Sequence, residues 1–232
     1  MCYDPHQAFN GIYVTDGLAF IFDLDGVIVD SNPVHEQVWQ AYLRLHGISA
    51  DGELAERMYG RRNDDIVRDL FGGHLTPDEV LAHGAAKEAL YRETIKEQLP
   101  QRLVPGVREF LRAHAGRRMG LASNAEPANV EFILREAGLR DCFWAVVDGH
   151  QVDRPKPDPE IYFRAAALLG EAPANCIVFE DSLTGVQSAR AANARVVALT
   201  TTHAWLPEAD LNLKDFLSPE LELWIGQQTR RA

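Results

Sequence analysis

Leu18-Ala19-Phe20-Ile21-Phe22-Asp23-Leu24-Asp25-Gly26 decides the fold. Five apolar residues run directly into two carboxylates and a glycine. A short apolar run bounded by a turn signal reads as a buried strand. Side chains at i and i+2 share one face of a strand, so Asp23 and Asp25 enter one pocket if strand geometry persists through the turn. Burying unpaired charge is costly. The pair therefore calls for a metal, a cation or a shared proton. In open α/β sheets the C-terminal mouth of the strands is where ligands bind. Asp and Gly also favour ordinary turns, so the stretch needs support from elsewhere in the chain.

Working outward, four more runs read as buried strands: Arg118–Ser123, Trp144–Asp148, Cys176–Asp181 and Arg195–Thr200. None alternates cleanly, as expected where both sheet faces are covered. Helical patterns lie between most of them: Val107–Ala115, Glu126–Ala137 closed by Gly138, a helix to Leu169 closed by Gly170, and Thr184–Ala192. Asp158 reads as the cap of the third of these, with Pro159 at its first position. Strands alternating with helices imply an α/β fold with a doubly wound, mostly parallel sheet.

One segment breaks the alternation. From Pro33 to about Gln101 the pattern is helical throughout. Val34, Val38, Tyr42 and Leu45 recur at helical spacing and Gly47 ends the run. Glu53–Tyr59 is a shorter helix, and Asn63 is placed to cap Asp64–Phe71. Thr76-Pro77-Asp78-Glu79 has the form of a capping box and opens a long helix to about Gln98. Roughly 70 residues exceed any normal crossover, so residues 33–101 are expected to form a four-helix cap inserted into a core of 18–32 and 102–232. Ser31-Asn32-Pro33 and Leu99-Pro100 are the expected hinges. Residues 1–17 read as a polar leader without the basic flank or apolar core of a signal peptide.

The bulk numbers narrow the function. The chain has 232 residues, 46% apolar, with net charge −11. That balance argues against nucleic-acid binding, and no apolar run approaches the ~20 residues of a membrane span. Three cysteines without a C-x-x-C pattern argue for a reducing, cytoplasmic setting and against a thiolate zinc site. Oligomeric state is not readable, and a monomer is compatible with everything above.

Three further motifs carry chemistry. Leu121-Ala122-Ser123-Asn124 ends a strand in a hydroxyl and an amide before a helix, a place where Ser123 and the next backbone N–H can hold an anionic oxygen. Arg154-Pro155-Lys156-Pro157-Asp158-Pro159 sets Lys156 on a stiff loop, because each proline fixes φ and extends its predecessor. A rigid lysine costs less entropy to place against phosphate. Ile177-Val178-Phe179-Glu180-Asp181-Ser182 is a second buried strand ending in acids. Their side chains would diverge, one reaching a metal directly and the other through water. Carboxylate, carbonyl and water ligands describe magnesium rather than zinc.

D-L-D-G-V, S-N, R-P-K-P-D-P and E-D-S-x-x-G, in this order, resemble the haloacid dehalogenase-like hydrolases. The resemblance spans the chain from residue 18, and the cap position and lysine loop look like the β-phosphoglucomutase and sugar-phosphate phosphatase branch. It implies a Rossmann-like core and Mg2+ as cofactor. Asp23 would be the nucleophile that becomes an aspartyl phosphate, with Asp25 as general acid and base. Ser123 and the backbone N–H of Asn124 would bind the transferring group, and Lys156 would neutralise it. Asp23, the carbonyl of Asp25 and Asp181 would hold the metal, with Glu180 in its outer sphere. Acid catalysis by Asp25 implies a raised pKa. His35, Lys87 and the arginines of Gly60-Arg61-Arg62-Asn63 fall where that branch contacts substrate, though an exposed helix face explains His35 and Lys87 equally well.

Within the branch, the mutase motif Ser-Ala-Ser-Lys-Asn is replaced by Ser123-Asn124-Ala125-Glu126-Pro127. The lysine and serine for a distal phosphate are missing and Glu126 repels one. A magnesium-dependent phosphatase acting on a small phosphorylated metabolite is therefore expected ahead of a phosphosugar mutase. Dehalogenation would leave the full carboxylate cluster surplus. A noncatalytic phosphate-binding module would not need Asp23, Asp25 and Lys156 together.

Overall fold

The computed structural model describes residues 17–49, 54–58 and 61–228. The expected leader, apart from Gly17, lies outside these residues, as do the ends of the expected helix 53–59. Six parallel strands form one sheet: β1 (Ala19–Phe22), β2 (Met119–Ala122), β3 (Ala145–Val147), β4 (Cys176–Glu180), β5 (Arg195–Leu199) and β6 (Leu211–Leu213). Their order is β3-β2-β1-β4-β5-β6. The chain winds one way from β1 through β2 to β3, then returns to the other side of β1 for β4, β5 and β6. The reversal falls between β1 and β4, and a crevice opens at such a switch point. The acids at 23, 180 and 181 end those two strands.

β6 is missing from the sequence expectation. Leu211-Asn212-Leu213 is three residues long, half exposed and interrupted by a polar side chain. It is an edge strand, and Asn212 is spent on the loop before it, bonding the backbone N–H and carbonyl of Leu206 at 2.9 and 3.1 Å.

Between β1 and β2 lie α1 (Asn32–Leu45), α2 (Leu54–Met58), α3 (Asn63–Phe71) and α4 (Pro77–Arg102). Trp39, Tyr42, Leu43, Leu54, Met58 and Ile66 belong to an apolar cluster confined to this insert. Val34 and Val38 of α1, with Tyr91, Ile95 and Leu99 of α4, instead join the apolar cluster of the sheet. The capping box at Thr76 is complete: its hydroxyl accepts from Glu79 N at 3.3 Å, and Glu79 accepts from Thr76 N at 2.8 Å. Two details differ from expectation. α4 runs four residues past Gln98, with Pro100 inside it, so Leu99-Pro100 sits in continuous helix. Arg62, in extended conformation, takes the cap position of α3, and Asn63 is its first helical residue.

α5 (Val107–Ala113) and α6 (Pro127–Glu136) follow, then α7 (Glu160–Leu168), α8 (Leu183–Ala191) and α9 (Pro219–Gln228). α7 starts one residue later than expected, with Pro159 at its cap position. Asp158 still caps, its carboxylate accepting from Glu160 N at 3.0 Å. The strands alternate strictly. Phe20 and Phe22 join one cluster with α5, α6 and α9, while Ala19 and Ile21 join another with α7 and α8. The first face is aromatic, with Phe22 and Phe179 stacked at 4.6 Å. The second is rich in alanine, including Ala122, Ala165, Ala166, Ala189 and Ala198. Asp23 follows β1 in the phase of Ala19 and Ile21, and Glu180 ends β4 in the phase of Cys176 and Val178. Both therefore belong to the alanine-rich side, the side from which α7 approaches.

Candidate active site

Asp23, Glu180 and Asp181 are all buried and offer carboxylate oxygens within 4.8 Å of one another. Lys156 crosses this cluster. Its ammonium donates to Asp23 Oδ1 at 2.7 Å, Glu180 Oε1 at 2.6 Å and the carbonyl of Ala122 at 3.0 Å. Burial alone would favour neutral lysine, but the charges of Asp23 and Glu180 and their hydrogen bonds outweigh it and raise its pKa. The lysine loop is tethered as well, Lys156 N donating to Asn124 Oδ1 at 3.2 Å.

Glu180 spends its carboxylate on the protein. Oε1 also accepts from Tyr162 Oη at 2.6 Å, and Oε2 accepts from Asp181 N, Ser182 N and Ser182 Oγ at 3.0 to 3.3 Å. It is completely buried. Burial, followed by the charges of Glu180 and Asp23, raises the Tyr162 phenol well above its ordinary pKa, so it remains a donor. Asp181 accepts from Asn32 Nδ2 at 3.2 Å and from the Thr202 hydroxyl. Its pKa lies well above the carboxylate range, chiefly through burial and then Glu180 and Asp23. Asp23 is pushed up to about 7 by burial, pulled down by Lys156, and pushed up again by Glu180 and Asp25. One lysine does not balance these carboxylates, and their donor set is hard oxygen. The cluster fits a divalent cation of the magnesium type.

Asp25 points elsewhere. It accepts from the Ser31 hydroxyl, and His35 Nε2 lies 3.7 Å from Oδ1. Burial would raise it, but the nearby His35 imidazole, then the Ser31 hydrogen bond and Lys87, hold it below the ordinary carboxylate value. The raised pKa expected from burial is thus corrected: the desolvation is present, and His35 and Lys87 of the insert, with Ser31 just before it, overcome it. Ser123 is buried, its Oγ accepting from Ala125 N at 3.1 Å.

The insert supplies the opposite wall. The pocket is lined by Asp23, Asp25, Ser123, Asn124, Lys156 and Asp181 from the sheet side. His35, Arg61, Asn63, Lys87 and Glu88 line it from the insert. His35 stacks on Tyr91 at 3.8 Å, and its Nδ1 is 2.7 Å from Lys87 Nζ. Arg61 is held by Asp69 at 3.0 Å. Arg62 does not line the pocket: its guanidinium donates to the carbonyls of Gly149 and of Val152, the latter at 2.6 Å, pinning the insert to the sheet domain's loops. Asn63, read as a cap, turns to the pocket because α3 begins one residue sooner. Tyr162, Glu88, Asn129 and Thr202 escaped sequence reading. Tyr162 occupies an apolar position of an amphipathic helix, and only its hydroxyl, reaching Glu180, marks it.

A doubly wound sheet whose switch point carries two aspartates, a strand-end serine, a buried lysine and a second acidic pair defines a hydrolase of the phosphoryl-transfer kind. The chain belongs to the haloacid dehalogenase-like hydrolases, whose family model matches residues 18–193. It is 31% identical over 214 residues to β-phosphoglucomutase of Bacillus subtilis, covering 88% of this chain and 92% of that protein. It is 32% identical over 177 residues to fructose-1-phosphate phosphatase of Escherichia coli, covering 74% and 90%. Among solved structures, β-phosphoglucomutase from Clostridium difficile superposes with a TM-score of 0.80 at 27% identity, covering 92% and 97%.

Proposed function

We propose that this enzyme hydrolyses a small phosphomonoester, a sugar phosphate, through an aspartyl phosphate on Asp23. The observation that carries the reading is the arrangement of Asp23 itself. Lys156 engages Oδ1, and Oδ2 accepts no hydrogen bond among the described residues, on the wall of a pocket that also holds Ser123 and Asp25. An oxygen of Asp23 attacks phosphorus and the bond from phosphorus to the ester oxygen breaks. The Asp25 carboxyl gives its proton to the departing alkoxide. Asp25 then takes a proton from water as that water attacks phosphorus, releasing inorganic phosphate and restoring Asp23. Asp25 has to acquire its first proton against His35 and Ser31. An incoming phosphate dianion favours that by raising its pKa.

Ser123 Oγ and the backbone N–H of Asn124 hold the equatorial oxygens, and Lys156 neutralises charge as it develops, which is most of what phosphoryl transfer requires. Asp23, the carbonyl of Asp25 and Asp181 would hold Mg2+, which when bound supplies charge stabilisation to the transferring group. Glu180 serves chiefly to hold Lys156. His35, Arg61 and Lys87 face the substrate's remainder, while Arg62 fastens the insert. Residues 33–101 act as a cap over the core of 18–32 and 102–232. Support comes from the cap's separate apolar cluster and from the pocket's position between the two. Its movement is centred near Ser31-Asn32-Pro33. Free Cys142 and Cys176 accord with a cytoplasmic setting.

A mutase reading draws on the likeness to β-phosphoglucomutase. Against it, the wall beyond Ser123 carries Glu126, paired with Arg92 at 2.6 Å, so that arginine is already neutralised. The test is phosphate release from a panel of sugar phosphates with magnesium and with EDTA. β-Glucose 1-phosphate is also assayed for glucose 6-phosphate with bisphosphate primer present. Magnesium-dependent release without isomer supports the phosphatase; isomer without net release refutes it.

A further inference from the structure

A chain of buried polar groups runs from the sheet domain through the insert to Asp25. It starts on α6, where Asn129 Oδ1 accepts from Arg92 of α4 at 2.7 Å and Asn129 Nδ2 donates to Glu88 Oε2 at 2.7 Å. The other oxygen of Glu88 takes Lys87 Nζ at 2.8 Å. Lys87 Nζ lies 2.7 Å from His35 Nδ1, and His35 Nε2 faces Asp25 Oδ1 at 3.7 Å. Lys87, Glu88 and Asn129 are 1%, 4% and 3% exposed. A lysine and a glutamate adjacent on a helix, both out of solvent, do not arise as a solvated surface pair. Burying them demands that each be bonded, since a buried charge stripped of its partner is strongly unfavourable.

We propose that Glu88 and Asn129 are positioning residues for Asp25, acting through Lys87 and His35. This rests on the reading of Asp25 as the acid that protonates the leaving group. Glu88 fixes Lys87 from one side, so the ammonium meets His35 in one geometry, and His35, stacked flat on Tyr91, presents Nε2 to Asp25. Asn129 is the sheet domain's hold on this row. Its amide can satisfy Glu88 only when α4 lies against α6, so Asp25 is ordered by the insert being seated. Burial favours the neutral acid at Glu88, but Lys87, His35 and the hydrogen bonds from Lys87 and Asn129 keep its pKa below the ordinary value. It remains the anion that the row requires.

Both residues also line the pocket, so the test has to separate positioning from contact with a sugar. Phenyl phosphate and p-nitrophenyl phosphate have no sugar hydroxyls and nearly equal size, but phenoxide leaves far less readily without a proton. kcat/KM for the pair is measured with saturating magnesium in the wild type and in Asp25→Asn, Glu88→Gln and Asn129→Ala. Asn129→Ala, which leaves no charge uncompensated, carries the test if Glu88→Gln does not fold. General acid catalysis typically contributes about 10²–10⁴-fold. Loss of positioning is expected to cost phenyl phosphate at least about tenfold more than p-nitrophenyl phosphate, in the same sense as Asp25→Asn. Equal losses on the two esters in Glu88→Gln and Asn129→Ala, while Asp25→Asn discriminates, overturn the inference alone. No discrimination by Asp25→Asn overturns the acid role of Asp25 and the inference with it.

Discussion

Tyr162→Phe isolates one interaction. The substitution removes the hydroxyl that donates to Glu180 Oε1 at 2.6 Å and nothing else of size. The ring stays, so no cavity forms, and the contact between the ring and Lys156 Nζ at 5.0 Å is kept. Glu180 is completely buried and paired with Lys156 at 2.6 Å, so the lost bond belongs to an ion-pair network. Such bonds contribute about 1.5–3 kcal/mol. For a chain of this size each kcal/mol moves the melting temperature by about 2–4 °C, giving a drop of about 3–12 °C. The bond from Lys156 to Asp23 at 2.7 Å is untouched, so kcat should fall less than about fivefold, equivalent to about 1 kcal/mol. Differential scanning calorimetry and phosphate-release kinetics on the same preparation read both quantities. A melting point unchanged within about 1 °C would mean the hydroxyl carries no such load. A hundredfold loss of kcat with little loss of stability would mean Tyr162 takes part in the chemistry, and the division of labour argued for Glu180 would be wrong.

Asp23→Asn should abolish turnover, and intact-mass measurement during reaction should show no phosphorylated chain; steady phosphate release from this variant would remove Asp23 as nucleophile. Magnesium at about 100 times its half-saturating concentration should stabilise the protein by about 2.7 kcal/mol in thermal denaturation, with EDTA reversing the shift. Gly26 has φ of +72°, and a Cβ there would collide with the Asp181 carboxylate; Gly26→Ala should cost at least about 1 kcal/mol of stability and remove most of the magnesium shift. Without metal, the Asp23 pKa of about 7 exceeds the ordinary carboxylate value. The folded form therefore holds a proton that the unfolded chain has released, and this contribution to stability declines as pH rises from about 4 to about 7. Denaturant titrations across that window should show the decline, and Asp23→Asn should flatten it.

The strands at 19–22, 119–122 and 176–180 were legible because short apolar runs ending in polar groups have few other readings, and Asp23, Ser123 and Asp181 were legible because they sit at those ends. Lys156 stood out through its prolines. What was hidden depends on distance along the chain. Glu88 and Asn129 are 41 residues apart and each looks like an ordinary polar helix residue. Only their pairing inside the protein marks them. Arg62 and Asn63 exchanged expected roles because a single residue of helix phase separates a pocket-facing side chain from one that clamps backbone. Asp25 was misjudged electrostatically: burial could be inferred from the strand, but the His35 and Ser31 that oppose it depend on how α1 enters.

The two sides of the sheet differ in what fills them. On one, rings such as Phe20, Phe22, Phe110 and Phe179 form the layer between helices and strands; on the other, alanines of α7, α8 and β5 do. The two sides should therefore tolerate opposite errors. Enlarging Ala165 or Ala189 forces backbone apart and costs about 1–3 kcal/mol by overpacking, whereas Phe20→Leu trims a layer that has neighbours able to settle inward. Because Lys156, Tyr162 and Glu180 gather on the alanine-rich side, a helix lifted there by one methylene also disturbs the bonds that tie Lys156 to Glu180 and Asp23. Directed diversification aimed at new substrates has its latitude in the aromatic layer and the insert, and very little beneath α7.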